Sequence, residues 1–290
     1  IEMARLFREI MSSCLALEQQ LHIAYLGPKG TYTQSAAIKH FGQSVETVSA
    51  KTIEEVFRAV ESGSAHFGVV PVENSTEGAI DLTLDMFLRS SLTICGEVEL
   101  RVRHSLLSKE MAFSNITRVY SHQQSLAQCK VWLNNNLPNV ECVAVSSNAE
   151  AAKRASSEKQ TAAIAGEMAA DIYDLSTLMK NIEDDTENTT RFNIIGKSNV
   201  SRCGNDKTSL LASTSNNPGA LYRLLQPLEQ NAISMSRIES RPSRVSMWAY
   251  VFFIDINGHQ DDENVAKAIA ALKKEAAMLK VLGSYPKAVL

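Results

Sequence analysis

His22-Ile23-Ala24-Tyr25-Leu26, followed by Gly27-Pro28-Lys29-Gly30-Thr31-Tyr32-Thr33, is the stretch that decides the fold. Residues 22–26 read as a short apolar strand stopped by Gly27, and residues 33–41 read as a helix. Two glycines between them permit close backbone approach or positive φ. Thr31 or Thr33 can cap the helix, and the free amides of a helix N-terminus favour an anionic group. Taken alone the segment reads better as a plain βα connection, because the full dinucleotide or phosphate-loop glycine spacing is missing.

Outward from this unit the pattern repeats. Thr52-Ile53-Glu54-Glu55 has capping-box form and opens a helix ending near Gly63. Residues 67–70 read as a short buried strand, 76–88 as a helix and 92–107 as a long β-rich stretch. A second unit follows, with a strand closing at Val119-Tyr120, a helix over 124–134 and a strand over 140–145. It continues with a helix over 149–155, a strand over 161–165 and a helix over 167–173. This alternation predicts α/β layers with mostly parallel pairing. Ligands in such sheets bind beyond the carboxyl ends of strands.

Residues 198–207 are polar, hold Gly204, Asn205 and Asp206, and read as a linker. Beyond them the order becomes strand 208–213, helix 219–230, strand 233–241, strand 248–256, helix 264–277 and strand 279–282. That is a βαββαβ signature. At the other end, Met3, Leu6, Phe7, Ile10, Cys14, Leu17 and Leu21 follow helical spacing. A lone amphipathic helix has nothing of its own to bury against. With Ile1 rather than Met at the start, residues 1–21 read as the stub of a preceding domain.

Composition narrows the function classes. The 290 residues are 44% hydrophobic, enough for about two domains with sizeable cores. A net charge of −3 gives no basic excess for nucleic acid, and Lys153-Arg154 reads as a solvated helix face. No apolar run approaches the ~20 residues of a membrane span, and no signal peptide is visible. Cys14, Cys95, Cys129, Cys142 and Cys203 form no C-x-x-C pair and favour a reducing cytoplasm. Six scattered histidines with few acids near them argue against a metal site.

Four polar segments lie beside predicted strands. Pro71-Val72-Glu73-Asn74-Ser75-Thr76-Glu77-Gly78 supplies amide, hydroxyl and carboxylate groups. A helix cap accounts for Thr76 and Glu77 but leaves Glu73 and Asn74 unexplained. Ser121-His122-Gln123-Gln124 follows a strand; His122 suits carboxylate binding or proton transfer, or is simply exposed beside a capping Ser121. Asn188-Thr189-Thr190-Arg191-Phe192 offers a hydroxyl and a guanidinium fork suited to a carboxylate. Glu183, Asp184 or Asp185 could equally pair with Arg191. With the first glycine turn, these groups suit a grip on a small, multiply charged molecule.

In this order the segments resemble the prephenate dehydratase family. The family's G-P-x-G-T-[FY]-[ST], P-x-E-N-S-x-x-G, S-H-x-Q and T-R-F motifs match residues 27–33, 71–78, 121–124 and 190–192. Gln123 stands where many members have proline, and Thr33 where serine is common. Asn217-Pro218-Gly219-Ala220-Leu221 and Glu239-Ser240-Arg241-Pro242 are similar to the G-A-L and E-S-R-P motifs of the ACT regulatory domain. The first helix looks like the last helix of a chorismate mutase domain in bifunctional relatives, and no mutase activity is expected of it.

The resemblance implies a two-lobed α/β catalytic region of the type II periplasmic-binding-protein plan, plus a ferredoxin-like βαββαβ ACT domain. The implied boundaries are 1–21 for the helical remnant, 22–200 for the catalytic domain and 201–290 for the ACT domain. Lobe 1 would hold 22–100 and 182–200, and lobe 2 would hold 101–181. The implied substrate is prephenate, with arogenate dehydratase or a non-catalytic amino-acid sensor as alternatives. Thr190, Arg191, Glu73 and His122 are the expected catalytic residues. Gly30, Thr31, Tyr32, Asn74, Ser75, Thr76, Ser121, Gln123 and Phe192 are the expected substrate contacts. L-Phenylalanine is the expected inhibitor, bound by residues 217–221 and 239–242 between paired ACT domains of a homodimer or homotetramer. Neither cofactor nor metal is expected.

Overall fold

The computed structural model describes residues 2–214, 217–242 and 250–288. The chain opens with α1 (Glu2–Glu18), β1 (His22–Leu26), α2 (Tyr32–Phe41), β2 (Glu46–Ala50) and α3 (Ile53–Ser62). It continues through β3 (Phe67–Asn74), the short β4 (Gly78–Ala79), α4 (Asp81–Arg89) and β5 (Thr93–Arg101). A crossing leads to β6 (Ser105–Ser108), β7 (Arg118–His122), α5 (Gln123–Gln128), α6 (Lys130–Asn136) and β8 (Glu141–Val145). Next come α7 (Asn148–Ser157), β9 (Thr161–Ala165), α8 (Glu167–Tyr173) and β10 (Ser176–Met179). The chain then returns as β11 (Thr189–Gly196). The remainder is β12 (Asp206–Ser213), α9 (Ala220–Gln230), β13 (Met235–Pro242), β14 (Tyr250–Asn257), α10 (Glu263–Glu275) and β15 (Met278–Pro286).

Three sheets result. The first runs β2-β1-β3-β11-β5 with β4 beside β3, the second β10-β6-β9-β7-β8, and the third β13-β14-β12-β15. Pairing is parallel only where helical crossovers feed neighbouring strands: β1 with β2 and β3, and β7 with β8 and β9. The crossing segments instead add antiparallel strands, with β11 between β3 and β5 and β6 between β9 and β10. The expected mostly parallel pairing therefore holds for only part of each lobe.

Local rules explain much of the rest. Thr52 Oγ1 accepts the Glu55 amide at 3.2 Å, and Glu55 Oε2 accepts the Lys51 amide at 2.7 Å, which completes the capping box of α3. The helix ends at Gly63 in the left-handed region (φ +81°). Val56, Phe57 and Val60 form its buried stripe.

Several expectations are corrected. Residues 76–80 form a turn and β4 rather than the start of a helix, because β3 runs on to Asn74 and folds back. The helix expected over 124–134 is broken at Cys129 into α5 and α6. Strand β2, with a polar sequence, was not expected. Trp248, expected to open β14, lies outside the described residues.

One core cluster crosses the boundary between the first sheet and the third. Phe57, Phe87, Leu92 and Ile94 share it with Leu211, Phe253, Leu282 and Tyr285. At about 1.5–3 kcal/mol per large side chain buried, this seam is a substantial part of the fold. At Gly283, a Cβ would lie 2.2 Å from the Ile94 carbonyl, so only glycine allows β15 to approach β5 this closely.

Candidate active site

A cleft of about 420 Å³ opens between the first two sheets. Its walls combine Gly30, Thr31, Tyr32 and Lys51 with Asn74, His104, His122, Gln128, Asn148, Asn188, Thr190 and Phe192. These residues come from the segments after β1, β2 and β8, from the ends of β3, β7 and α5, from the crossing before β6, and from the start of β11 with the residue before it. Among the described residues, no Asp or Glu lines the cleft, whereas Lys51 does. The N-termini of α2 and α7 also open onto it, through Thr31–Thr33 and Ser147–Asn148. Both add partial positive charge, so the cleft favours anions.

Asn74 organises one wall. Its Oδ1 accepts the amides of Thr76 and Glu77 at 3.0 and 3.2 Å. That fixes the amide orientation, and Nδ2 then donates to Asn188 Oδ1 at 2.8 Å and to Thr190 Oγ1 at 2.9 Å. Thr190 accepts from Asn74 and so keeps its own hydroxyl hydrogen for a ligand. On the facing lobe Asn148 has the same organising role. Its Oδ1 accepts the His122 amide at 3.1 Å, and its Nδ2 donates to Ser125 Oγ at 2.9 Å.

The aromatic wall is coupled to His104. Tyr32 Oη donates to the Arg103 carbonyl at 2.6 Å and lies 3.0 Å from His104 Nδ1, while His104 Nε2 lies 2.9 Å from Gln128 Oε1. Burial lowers the His104 pKa, against opposing pulls from Gln128 and Glu183, so the ring is neutral at neutral pH. Burial also lifts the Tyr32 phenol well above its ordinary value, so it stays protonated.

Strand alternation sorts the expected residues. Thr190 and Asn74 are register partners on the cleft side, whereas Arg191 and Glu73 are register partners on the opposite side. Gly30, Thr31, Tyr32, Asn74, His122, Thr190 and Phe192 do line the cleft.

Arg191 and Glu73 do not. Arg191 Nη2 lies 2.5 Å from Glu73 Oε2, and its Nη1 lies 2.9 Å from Asp255 Oδ2, at the junction with the third sheet. Ser75 joins them there, its Oγ accepting the Thr189 amide at 2.9 Å. Ser121 is fully buried beneath the cleft, with its Oγ 2.8 Å from the Ile164 carbonyl and 3.0 Å from Asn148 Oδ1. Thr76 and Gln123 face a neighbouring hollow of about 630 Å³ that shares His122, Gln124, Gln128 and Asn188 with the cleft.

Sequence reasoning missed Lys51, His104, Gln128 and Asn148 as site residues. Lys51 and Asn148 follow β2 and β8 closely, so the carboxyl-end rule would have found them once those strands were placed. His104 and Gln128 carry no such local signal.

At the effector-type motifs, Asn217, Pro218 and Gly219 form the turn into α9, which begins at Ala220 and Leu221. Gly219 is left-handed (φ +76°). Glu239, Ser240, Arg241 and Pro242 close β13, an edge strand. Arg241 reaches back to the catalytic region, donating to the Asp81 carbonyl at 2.8 Å and pairing with Asp81 and Asp85 of α4. Among the described residues, no helix is long and apolar enough to cross a membrane, and no cluster of three or more His, Cys, Asp or Glu could hold a metal ion.

Fold and site together define a two-lobed α/β enzyme of the periplasmic-binding-protein plan, with an anion-favouring cleft and a ferredoxin-like ACT domain packed on one lobe. The prephenate dehydratase family model matches residues 23–200, and the ACT domain model matches residues 208–274. The bifunctional chorismate mutase/prephenate dehydratase of Pseudomonas aeruginosa is 59% identical over all of this chain, which spans 80% of that protein. A prephenate dehydratase of Amycolatopsis methanolica is 36% identical, over 92% of this chain and 88% of its own. The crystal structure of prephenate dehydratase in complex with L-Phe from Arthrobacter aurescens superposes with a TM-score of 0.85 at 31% identity, covering 92% of this chain and 90% of the other. The chain belongs to the prephenate dehydratase family.

Proposed function

We propose that this chain converts prephenate to phenylpyruvate, water and carbon dioxide, and that L-phenylalanine inhibits it through the ACT domain. The observation that carries the catalytic reading is the cleft, without Asp or Glu among the described residues that line it, in which Thr190, Asn74, His122 and the Gly30–Tyr32 turn meet. Prephenate is a dianion with a ring carboxylate and a C4 hydroxyl. The C–C bond to the ring carboxylate breaks, its electron pair enters the ring, and the C–O bond at C4 breaks as the hydroxyl takes a proton. Aromatisation drives the reaction, so it requires neither redox cofactor nor metal.

Lys51 and the two helix N-termini are assigned to the carboxylates. Thr190, with its hydrogen free, is assigned the hydrogen bond to the departing hydroxyl. An aliphatic hydroxyl is a poor acid, so the proton is assigned to His122 on the facing lobe, delivered directly or through a water. Such positioned acids contribute ~10²–10⁴-fold. Glu73 and Arg191 have no direct part in this chemistry.

Phenylalanine inhibition rests on the ACT family match and on the L-Phe complex of the Arthrobacter protein. We assign the effector to residues 217–221 and 239–242. Edge strand β13, with Ile238, Tyr222 and Tyr250 exposed nearby, suits pairing with a second copy into a dimer or tetramer. A reducing, cytoplasmic location fits the five unpaired thiols.

The test is an absorbance assay for phenylpyruvate formed from prephenate with no cofactor added, with and without phenylalanine. No turnover would refute the catalytic reading; turnover indifferent to phenylalanine would refute the regulatory one.

A further inference from the structure

Behind the cleft, on the far face of β3 and β11, six charged side chains, all but Glu73 largely buried, form a cluster where the catalytic lobe meets the ACT domain. Glu73, Glu97 and Arg191 come from the lobe; Lys207, Arg237 and Asp255 come from the ACT domain. Three positive and three negative groups balance. Lys207 Nζ sits 2.9 and 2.7 Å from the two oxygens of Glu97. Arg191 bridges Glu73 and Asp255, and lies 3.8 Å from Glu97. Asp255 is held in turn by Ser209 Oγ at 2.6 Å, which lies 2.7 Å from the Tyr285 hydroxyl. The side chains of Glu97 and Asp255 are only 2% and 7% exposed. Breaking the Lys207–Glu97 or Arg191–Asp255 pair would strand an ion away from water, whereas Glu73, with a 36% exposed side chain, keeps access to solvent.

The cluster has two ends. At one, Arg191 lies between Thr190 and Phe192 on a single strand, so a displacement that carries the Arg191 backbone also moves the Thr190 hydroxyl. At the other, Arg237 Nε lies 3.3 Å from Glu73 Oε2. Arg237 sits on β13, two residues from Glu239, and alternation puts residues 237, 239 and 241 on one side of that strand. Among the described residues, its buried Nη2 has no hydrogen-bond partner, and its Nε has only the ion-pair contact to Glu73. The β13 end is therefore under-satisfied in this arrangement. A small shift of β13 that completes these bonds would pull on Glu73, and through it on Arg191.

We infer that the chain Arg237–Glu73–Arg191, anchored by Asp255, couples the effector strand of the ACT domain to Thr190, and that Arg191 is a positioning residue rather than a contact to substrate. This coupling rests on the functional reading above. It gives phenylalanine a route of side-chain contacts to the reacting hydroxyl that does not need the lobes to separate.

The test uses the full chain and two variants. Arg237→Met removes buried polar atoms that lack partners, so it is expected to fold. It should keep kcat within about threefold of wild type and still bind phenylalanine by calorimetry, yet need at least tenfold more phenylalanine for half-inhibition. The paired replacement Arg191→Met with Asp255→Leu cuts the Thr190 end and leaves neither charge orphaned by the other. It should lower kcat at least tenfold while KM for prephenate changes less than threefold, since a 1 Å misplacement of a reacting group costs about 10²-fold. A merely structural role would lower the melting temperature and leave that kcat-against-KM split unmoved. A folded Arg237→Met enzyme inhibited like wild type, or a folded double variant with wild-type kcat, would overturn the coupling. A wild-type chain without turnover or without a phenylalanine response would instead refute the functional reading.

Discussion

Replacing Thr190 with valine isolates one hydroxyl. Valine keeps the β-branched shape, so strand β11 and its pairing with β3 and β5 should persist. Two losses follow. First, Asn74 Nδ2 loses the acceptor 2.9 Å away, while Asn188 Oδ1 at 2.8 Å keeps its other hydrogen engaged. Asn74 is buried, so one amide hydrogen is left without a partner, at a cost of about 1–3 kcal/mol in stability. Second, the leaving hydroxyl loses its donor. Removing one preorganised donor from a developing charge typically costs about 2.7–4 kcal/mol, or 10²–10³ in kcat. The stability loss is read by urea denaturation, and the catalytic loss by phenylpyruvate absorbance at saturating prephenate. Thr190→Ser restores the hydroxyl and is expected within about tenfold of wild type. A folded Thr190→Val enzyme with kcat within threefold of wild type would remove this hydroxyl from the chemistry.

Three further outcomes are expected. Lys51→Met should raise KM for prephenate about three- to tenfold with kcat little changed; the effect is modest because Lys51 is exposed, and it should shrink in high salt, as initial-rate kinetics would reveal. Gly219→Val places a β-branched residue at φ +76°, with its Cβ 3.1 Å from Arg223 Nη1, and should weaken phenylalanine inhibition at least several-fold while basal turnover stays near wild type; equal loss of both would indicate misfolding. Burial, helped by Arg8, pushes the His40 pKa down to about 4, whereas an unfolded histidine titrates near 6.5. The unfolded chain then binds the extra proton first, so stability is full above about pH 6.5 and falls as pH drops toward 4. Since part of the ring stays accessible, about 3 kcal/mol is the ceiling. Denaturation curves of His40→Gln should lack that part of the acid sensitivity.

Much of the architecture was legible because the signals are local. The apolar run 22–26 before a glycine turn, the capping box at Thr52–Glu55 and the βαββαβ order after residue 207 each follow from short-range chemistry. Pairing direction was less legible. Strand β11 reaches its place between β3 and β5 only after an excursion through the whole second lobe, and no nearby residue marks that insertion. The site was half legible. The motifs named the right strands, but reading them as blocks ignored the two-residue period of β structure, which turns Asn74 and Thr190 toward the cleft and Glu73 and Arg191 away. His104 was invisible for a different reason. Its place in the wall depends on Tyr32 and Gln128, which are distant in sequence and meet only when the lobes do.

Among the described residues no carboxylate lines the cleft wall, and this bears on the fate of the product. Turnover converts a doubly charged guest into a singly charged one and releases a neutral gas and water. On the assignment proposed above, a wall built from Lys51 and outward-facing peptide amides then loses half of the charge it was holding. Because Lys51 is exposed, one such contact is worth about 1 kcal/mol. Phenylpyruvate thus leaves a site whose grip the reaction itself has loosened.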